Sequence, residues 1–163
     1  MTQHPSFSSI RHLLSSSALF LLGGGLYYAI ELLVRGWSHW TMAVCGGVCL
    51  VSIYHLNRRL SHRSLLLRAL WGAGIITAVE FAAGCLLNLW LDLKIWSYAK
   101  YTLNILEQIC PYMTFLWFLL SILACLLCTL LQKGLFENRL FFKPSGRTVG
   151  RHAVYQADEK VGR

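Results

Sequence analysis

Charge is scarce in this chain. Of its 163 residues only 13% are Asp, Glu, Lys or Arg, about half the share usual in a soluble domain. Acidic side chains are the rarest, seven against fifteen Lys and Arg. Proline occurs three times, with none between residues 6 and 110, so nothing in that stretch forces a helix to break. The signatures of soluble chemistry are also missing. There is no G-x-x-x-x-G-K-[ST], no H-E-x-x-H and no G-x-S-x-G, which excludes the nucleotide, zinc-protease and nucleophile-elbow sites those patterns build. His4, His12, His39, His55, His62 and His152 lie in flanks and loops without metal-ligand spacing. We therefore expect no cofactor and no enzyme. The formal charge of +8 does not imply nucleic acid, because the basic residues flank hydrophobic segments, as in membrane topology and anionic-lipid contact.

What is abundant is apolar residues, 56% of the chain and clustered. Four runs emerge, at 13–34, 41–56, 69–91 and 109–131. The first, 22 residues long, spans about 33 Å as a helix, enough for the hydrocarbon core. A signal peptide is the competing reading, against which the run is long for the apolar part and has no clear small-residue cleavage site. The second is short, but Trp37 and Trp40 before it and Tyr54 and His55 after it suit headgroup depth. Pro111 marks the start of the fourth, where its missing N–H costs little. The expected fold is all-α, an integral membrane four-helix bundle over 13–131. A polar segment, 1–12, precedes it and a basic tail, 132–163, follows. With both termini inside, twelve of the fifteen Lys and Arg lie on the inner side and Arg35, Lys94 and Lys100 on the outer side. That asymmetry predicts both ends in the cytoplasm.

A weak internal repeat joins helices one and three. "GGGLYYAIE", 23–31, and "GAGIITAVE", 72–80, share G-x-G-[LI]-x-x-A-[IV]-E. It predicts a parallel repeat of two helical hairpins, with chance matching in a biased composition as the alternative. The triple glycine at 23–25 reads as close packing, since it sits mid-membrane with no lysine following.

The expensive residues are few. Thr77, Glu80, Gly84 and Asn88 fall at i, i+3, i+7 and i+11, one stripe of helix three. A carboxylate at such a depth costs roughly 2.5–3.5 kcal/mol on insertion scales, so the stripe must face protein or water. Two readings stand: a transport or proton site, or a structural interhelical hydrogen bond. Glu31 and Arg35 form an i,i+4 pair in the favourable order, either a local ion pair or a second polar site. The outer loop holds Trp96, Tyr98, Tyr101 and Asn104. These are either an interfacial anchor or a lid, and the spacing predicts Trp96 and Tyr98 folding back on the bundle near Asn104. All six cysteines lie in the hydrophobic runs. Cys125 and Cys128 have CxxC spacing but read as small packing residues, with a redox or metal pair as the alternative.

These residues carry a resemblance. "VEFAAGCLLNLWLDLKIWSY" and "LNILEQICPYMTFLWFLLS" resemble the bacterial ABC-transporter permease family of the CmpB-like, type IV group. Its members look like E-[FL]-x-x-G-x-x-x-N, then W-D-Y-S, then N-x-x-G-x-I-C-L-P-F-S-x-x-W. Glu80, Gly84 and Asn88 match the first part, Trp96 and Tyr98 the second, and Asn104, Ile109, Cys110 and Trp117 the third. Glu31, Arg35, Gly36, Ser38, His39 and Trp40 are similar near helix one. Ser97 stands where the family has Asp, Glu107 where it has Gly, and Pro111 comes one place early. The resemblance implies a multi-pass protein of the bacterial cytoplasmic membrane and a subunit of a transport system. The implied partners are the lipid bilayer, further copies or other membrane subunits, and a separate ATPase. A scaffold, sensor or assembly factor is the competing class.

Overall fold

The structure, a computed structural model, describes residues 7–133, with side chains from Leu14 onward. Residues 1–6 and 134–163, and with them most of the basic tail, lie outside the described residues. Four helices follow in order: α1 (Phe7–Arg35), α2 (Trp40–Arg59), α3 (Leu65–Gly84) and α4 (Pro111–Leu131). A π-helical stretch, Cys85–Trp90, prolongs α3. Counting that stretch, each is long and apolar enough to cross a membrane. The described residues contain no strand, only an isolated bridge between Ile105 and Ile109.

The helices outrun the apolar segments. α1 starts at Phe7 rather than at 13, and α2 continues to Arg59 rather than stopping at 56. α3 begins at Leu65, four residues before the apolar run, so Arg68 belongs to its first turn and not to the loop. The reason is that Arg side chains reach the interface from a helix whose backbone is already deeper. Helix ends follow local chemistry. Gly36, at φ +77°, closes α1 with a bond from its N–H to the Leu32 carbonyl (3.0 Å), a left-handed position that glycine occupies without strain. The His39 side chain caps α2 by accepting from the Thr41 N–H, Ser64 caps α3 by accepting from the Leu67 N–H, and Pro111 opens α4.

α2 is the axis of the bundle. It packs against all three other helices, α3 also packs on α4, and α1 lies chiefly on α2. The α1–α2 contact is backbone against backbone. A Cβ at Gly23 would lie 2.7 Å from the Gly46 carbonyl oxygen, and one at Gly24 would lie 2.6 Å from that of Ala43. Gly46 and Gly47 face back onto Tyr27 and Phe20. Membrane helices associate by such close approach because lipid provides no hydrophobic drive between them. Gly25, the third of the run, faces open space.

The core contains Leu19, Leu50, Ile53 and Tyr54 with Ile76, Cys125, Cys128 and Leu131. Cys125 and Cys128 are free thiols buried in it. A second cluster, Met42, Leu87, Ile95 and Trp96, lies where the loop 91–110 meets the bundle.

The glycine contact yields a paired expectation. Gly24→Ala should destabilise the protein by about 1–3 kcal/mol through overpacking. Gly25→Ala, one residue on, should change stability by no more than about 0.5 kcal/mol in either direction. Thermal unfolding of both variants in the same detergent checks the difference.

Candidate functional site

The site lies where α1, α3 and α4 meet the loop 91–110. The loop is tightly wound. Five non-glycine residues, Asp92, Lys94, Leu103, Leu106 and Glu107, have positive φ between 50° and 60°, an uncommon conformation outside glycine. Such a fold persists only when its surroundings over-determine it.

Asn88 does much of that work. It is buried in the π-helical stretch, and both ends of its amide are engaged. Its Nδ2 donates to the Trp96 carbonyl (2.9 Å) and to Gln108 Oε1 (2.7 Å), while its Oδ1 accepts from the Ile95 N–H (2.8 Å). Gln108, also buried, donates from Nε2 to the Leu106 carbonyl (2.8 Å), and its own carbonyl accepts from Trp96 Nε1 (3.3 Å). Gly84 leaves the room for Gln108: a Cβ there would come 2.5 Å from Oε1. π-Helical turns recur at functional positions because they aim one side chain away from the regular register.

α1 grips the same peptide from its other side. Glu31 is buried, and its two oxygens accept from Arg35 Nη1 (2.9 Å) and Ser38 Oγ (2.6 Å). Arg35 then donates from Nη2 to the Ile95 carbonyl (2.7 Å), with its guanidinium 4.6 Å from the Trp37 ring centroid. The N–H and C=O of Ile95 are thus held by α3 and α1. Glu31 and Asn88, far apart in sequence, meet through this residue.

Glu80 lies deeper on α3 and is buried. One oxygen accepts from Tyr98 Oη (2.6 Å) and the other from Trp117 Nε1 (2.5 Å). Tyr98 therefore reaches from the loop into the bundle. Burial, and then the nearby Glu80 charge, raises its hydroxyl above the usual phenol range, which keeps the proton needed for donation. Beside Glu80 is a cavity of about 20 Å³ lined by Tyr27, Cys45, Cys49, Trp96 and Trp117 among others. It is large enough for one water and too small for any solute.

The remaining candidates are placed differently. Thr77 shares the stripe of α3, but its partner is Thr114 of α4 (3.5 Å). Asn104 makes no contact of this kind with Trp96 or Tyr98. It shapes the loop itself, donating to the Tyr101 carbonyl (2.9 Å) and accepting from the Glu107 N–H (3.1 Å). Ser97 and Glu107, two of the departures from the family pattern, meet each other: Ser97 Oγ donates to Glu107 Oε2 (2.8 Å). A carboxylate is thus present at this point of the loop, supplied by 107 rather than 97. Sequence reasoning missed Gln108, whose only signal is a lone amide just before an apolar run. It also missed Trp117 as a partner of Glu80. Among the described residues no group of His, Cys, Asp and Glu is arranged to hold a metal ion. A larger apolar crevice of about 600 Å³ lies between α3, α4 and the loop, lined by Ala73, Ile105, Pro111 and Phe118 among others.

Asn88→Leu removes three hydrogen bonds and leaves the Ile95 N–H and Gln108 Oε1 buried without partners. We expect a loss of about 2–4 kcal/mol and faster amide exchange at Ile95, whose N–H Asn88 holds, read by hydrogen–deuterium exchange. Unchanged protection of that amide would refute the clamp.

A family model described as "Putative ABC-transporter type IV" matches residues 19–144, which include every residue of this network. Neither the curated proteins nor the solved structures contain a match. The match covers well over half the chain, and with its four membrane-length helices this multi-pass membrane protein belongs to the ABC-transporter type IV family.

Proposed function

We propose that the chain is a small membrane subunit of a transport system in the bacterial cytoplasmic membrane. In this reading Glu80 and Asn88 form its polar centre, Glu31 a second polar site, and the loop 91–110 the lid. The observation that carries the reading is Glu80. Its buried carboxylate borders a one-water cavity and is covered from the loop side by Tyr98. An ionisable side chain at such a depth is by default a functional-site candidate. Tyr98 is bonded to it through a hydroxyl that can leave when the loop lifts. Passage of a solute needs that movement, because the cavity admits none as it stands. Four helices make a thin bundle, so the pathway is completed by further copies or other membrane subunits, and ATP hydrolysis is supplied by a separate ATPase. The distribution of Lys and Arg supports an orientation with both termini in the cytoplasm. The G-x-G-[LI]-x-x-A-[IV]-E pairing supports two related helical hairpins. One observation favours the competing scaffold or sensor class: every polar group of the outer network already has a partner within the chain.

Glu80→Gln separates the classes. The Gln oxygen can accept from Trp117, while its amide donates to the Tyr98 oxygen, whose hydroxyl then turns away. The fold should therefore survive, with stability within about 1 kcal/mol of the parent, while the charge is gone. Glu80→Leu loses both bonds and should be less stable. The protein is purified in mild detergent, reconstituted with any ATPase that copurifies, and assayed for substrate-stimulated ATP hydrolysis. We expect Glu80→Gln to reduce stimulation at least about tenfold. Full activity in Glu80→Gln would remove Glu80 from the mechanism. Absence of any associated ATPase, with no uptake or efflux defect in a deletion strain, would favour the scaffold.

A further inference from the structure

The opposite end of the bundle carries a polar network that the transport reading does not use. Asn57 of α2 is almost completely buried at 1% exposure. Its Nδ2 donates to Thr129 Oγ1 (3.1 Å) and to Gln132 Oε1 (3.3 Å). Thr129 donates to the Cys125 carbonyl (2.8 Å), and Gln132 Nε2 donates to the Tyr54 carbonyl (3.3 Å). Asn57 Oδ1 accepts from Arg68 Nη1 at 2.7 Å. The network ties α2, α3 and the end of α4 together. Every partner in it other than Arg68 is neutral.

Among the described residues Arg68 has no counter-charge. The described acids are all engaged elsewhere: Glu31 by Arg35 and Ser38, Glu80 by Tyr98 and Trp117, Asp92 by Lys94, and Glu107 by Ser97. Arg58, Arg59, Arg63 and Lys133 at the same end are exposed and add positive charge. Arg68 Nε is buried and has no acceptor, and Nη1 is the one nitrogen with an acceptor among the described residues. The bond to Asn57 therefore fixes the guanidinium by one corner, and Nε is enclosed by protein. Nη2 is left without an acceptor among the described residues, and its two N–H groups can donate to the oxygens of an anion.

We propose that Arg68, through Nη2, binds the phosphate of an anionic phospholipid at the basic end of the bundle. Two features favour a lipid over a soluble anion. Arg68 lies in the first turn of a membrane-length helix, the depth of headgroup phosphates. Trp71, three residues on and on the adjoining face, is 58% exposed, as a side chain does that sits at the junction of headgroup and acyl chain. The surrounding arginines raise the local concentration of anionic lipid. Arg68 supplies the directional contact, and Asn57 acts as a positioning residue by holding the guanidinium. The inference does not depend on whether the protein transports anything.

The test is lipid retention by the full chain. Protein in mild detergent is titrated with phosphatidylglycerol or phosphatidylcholine, and bound lipids are counted by native mass spectrometry. We expect preferential retention of phosphatidylglycerol. Arg68→Lys keeps the charge but not the planar guanidinium that Asn57 orients, and should weaken phosphatidylglycerol binding about tenfold. Arg58→Lys, on an exposed side chain, should leave it unchanged. A wild-type protein with no preference, or an Arg68→Lys variant that binds as the parent does, overturns the proposal. Displacement of the lipid by millimolar inorganic phosphate overturns the lipid assignment and makes the site one for a soluble anion. A measurement on the wild type alone guards against a variant that fails to fold: phosphatidylglycerol carrying a photoreactive group near its headgroup should crosslink to the peptide containing Trp71. Crosslinks confined to other helices would also sink the idea.

Discussion

Most of the described outer architecture depends on satisfying the backbone of one residue, Ile95. A backbone N–H or C=O taken out of water without a partner costs several kcal/mol at membrane depth, and the loop 91–110 folds back into that region. At Ile95 the N–H goes to Asn88 and the C=O to Arg35. Those two bonds draw the ends of α3 and α1 onto the same residue. With Ile95 and Trp96 buried, Tyr98 is two residues from the clamp and reaches Glu80. The carboxylate then has a donor on each oxygen, which is what lets it stay buried.

The clamp in turn requires α1 to be close. Arg35 reaches Ile95 only because α1 lies against α2 without intervening side chains, and that approach rests on Gly23 and Gly24 against Gly46 and Ala43. A bulky residue there would move the end of α1 away from the loop. Packing in the middle of the bundle and hydrogen bonding at its edge are therefore coupled. The small residues do not touch Glu80, yet they decide whether the groups that cover it arrive.

The two ends of the bundle use the same device with opposite electrostatics. Each is tied by one buried asparagine, Asn88 at the loop end and Asn57 at the basic end. An amide both donates and accepts, so it can join three segments with no charge to desolvate. At the loop end the ionised groups nearby are paired within the chain, Glu31 with Arg35. At the basic end the cation joined to the amide has no acid among the described residues. The first arrangement is closed on itself, and the second leaves guanidinium donors without an acceptor among the described residues.

The helices were legible because a bilayer makes a simple demand: about twenty apolar residues per crossing and expensive polar groups turned inward. That argument locates four helices and picks out Glu80, Asn88 and Glu31 from composition and period alone. Their partners were not legible. Tyr98 and Trp117 reach Glu80 from elements 18 and 37 residues away, and nothing in the local pattern of either encodes that meeting. Asn104 looked like part of the same group and instead shapes its own turn, since a side chain in a compact loop is nearest to its own backbone. Arg68 looked like a loop charge because apolar runs end where charge begins, whereas helices end where caps allow; Ser64 supplies that cap. By itself the sequence determined the number of membrane-length helices and which polar residues were too costly to face lipid, because both follow from transfer free energy per residue. Which of those residues meet, and that one loop residue joins them, was decided only by the tertiary structure, because hydrogen bonds between distant segments depend on helix approach and loop path.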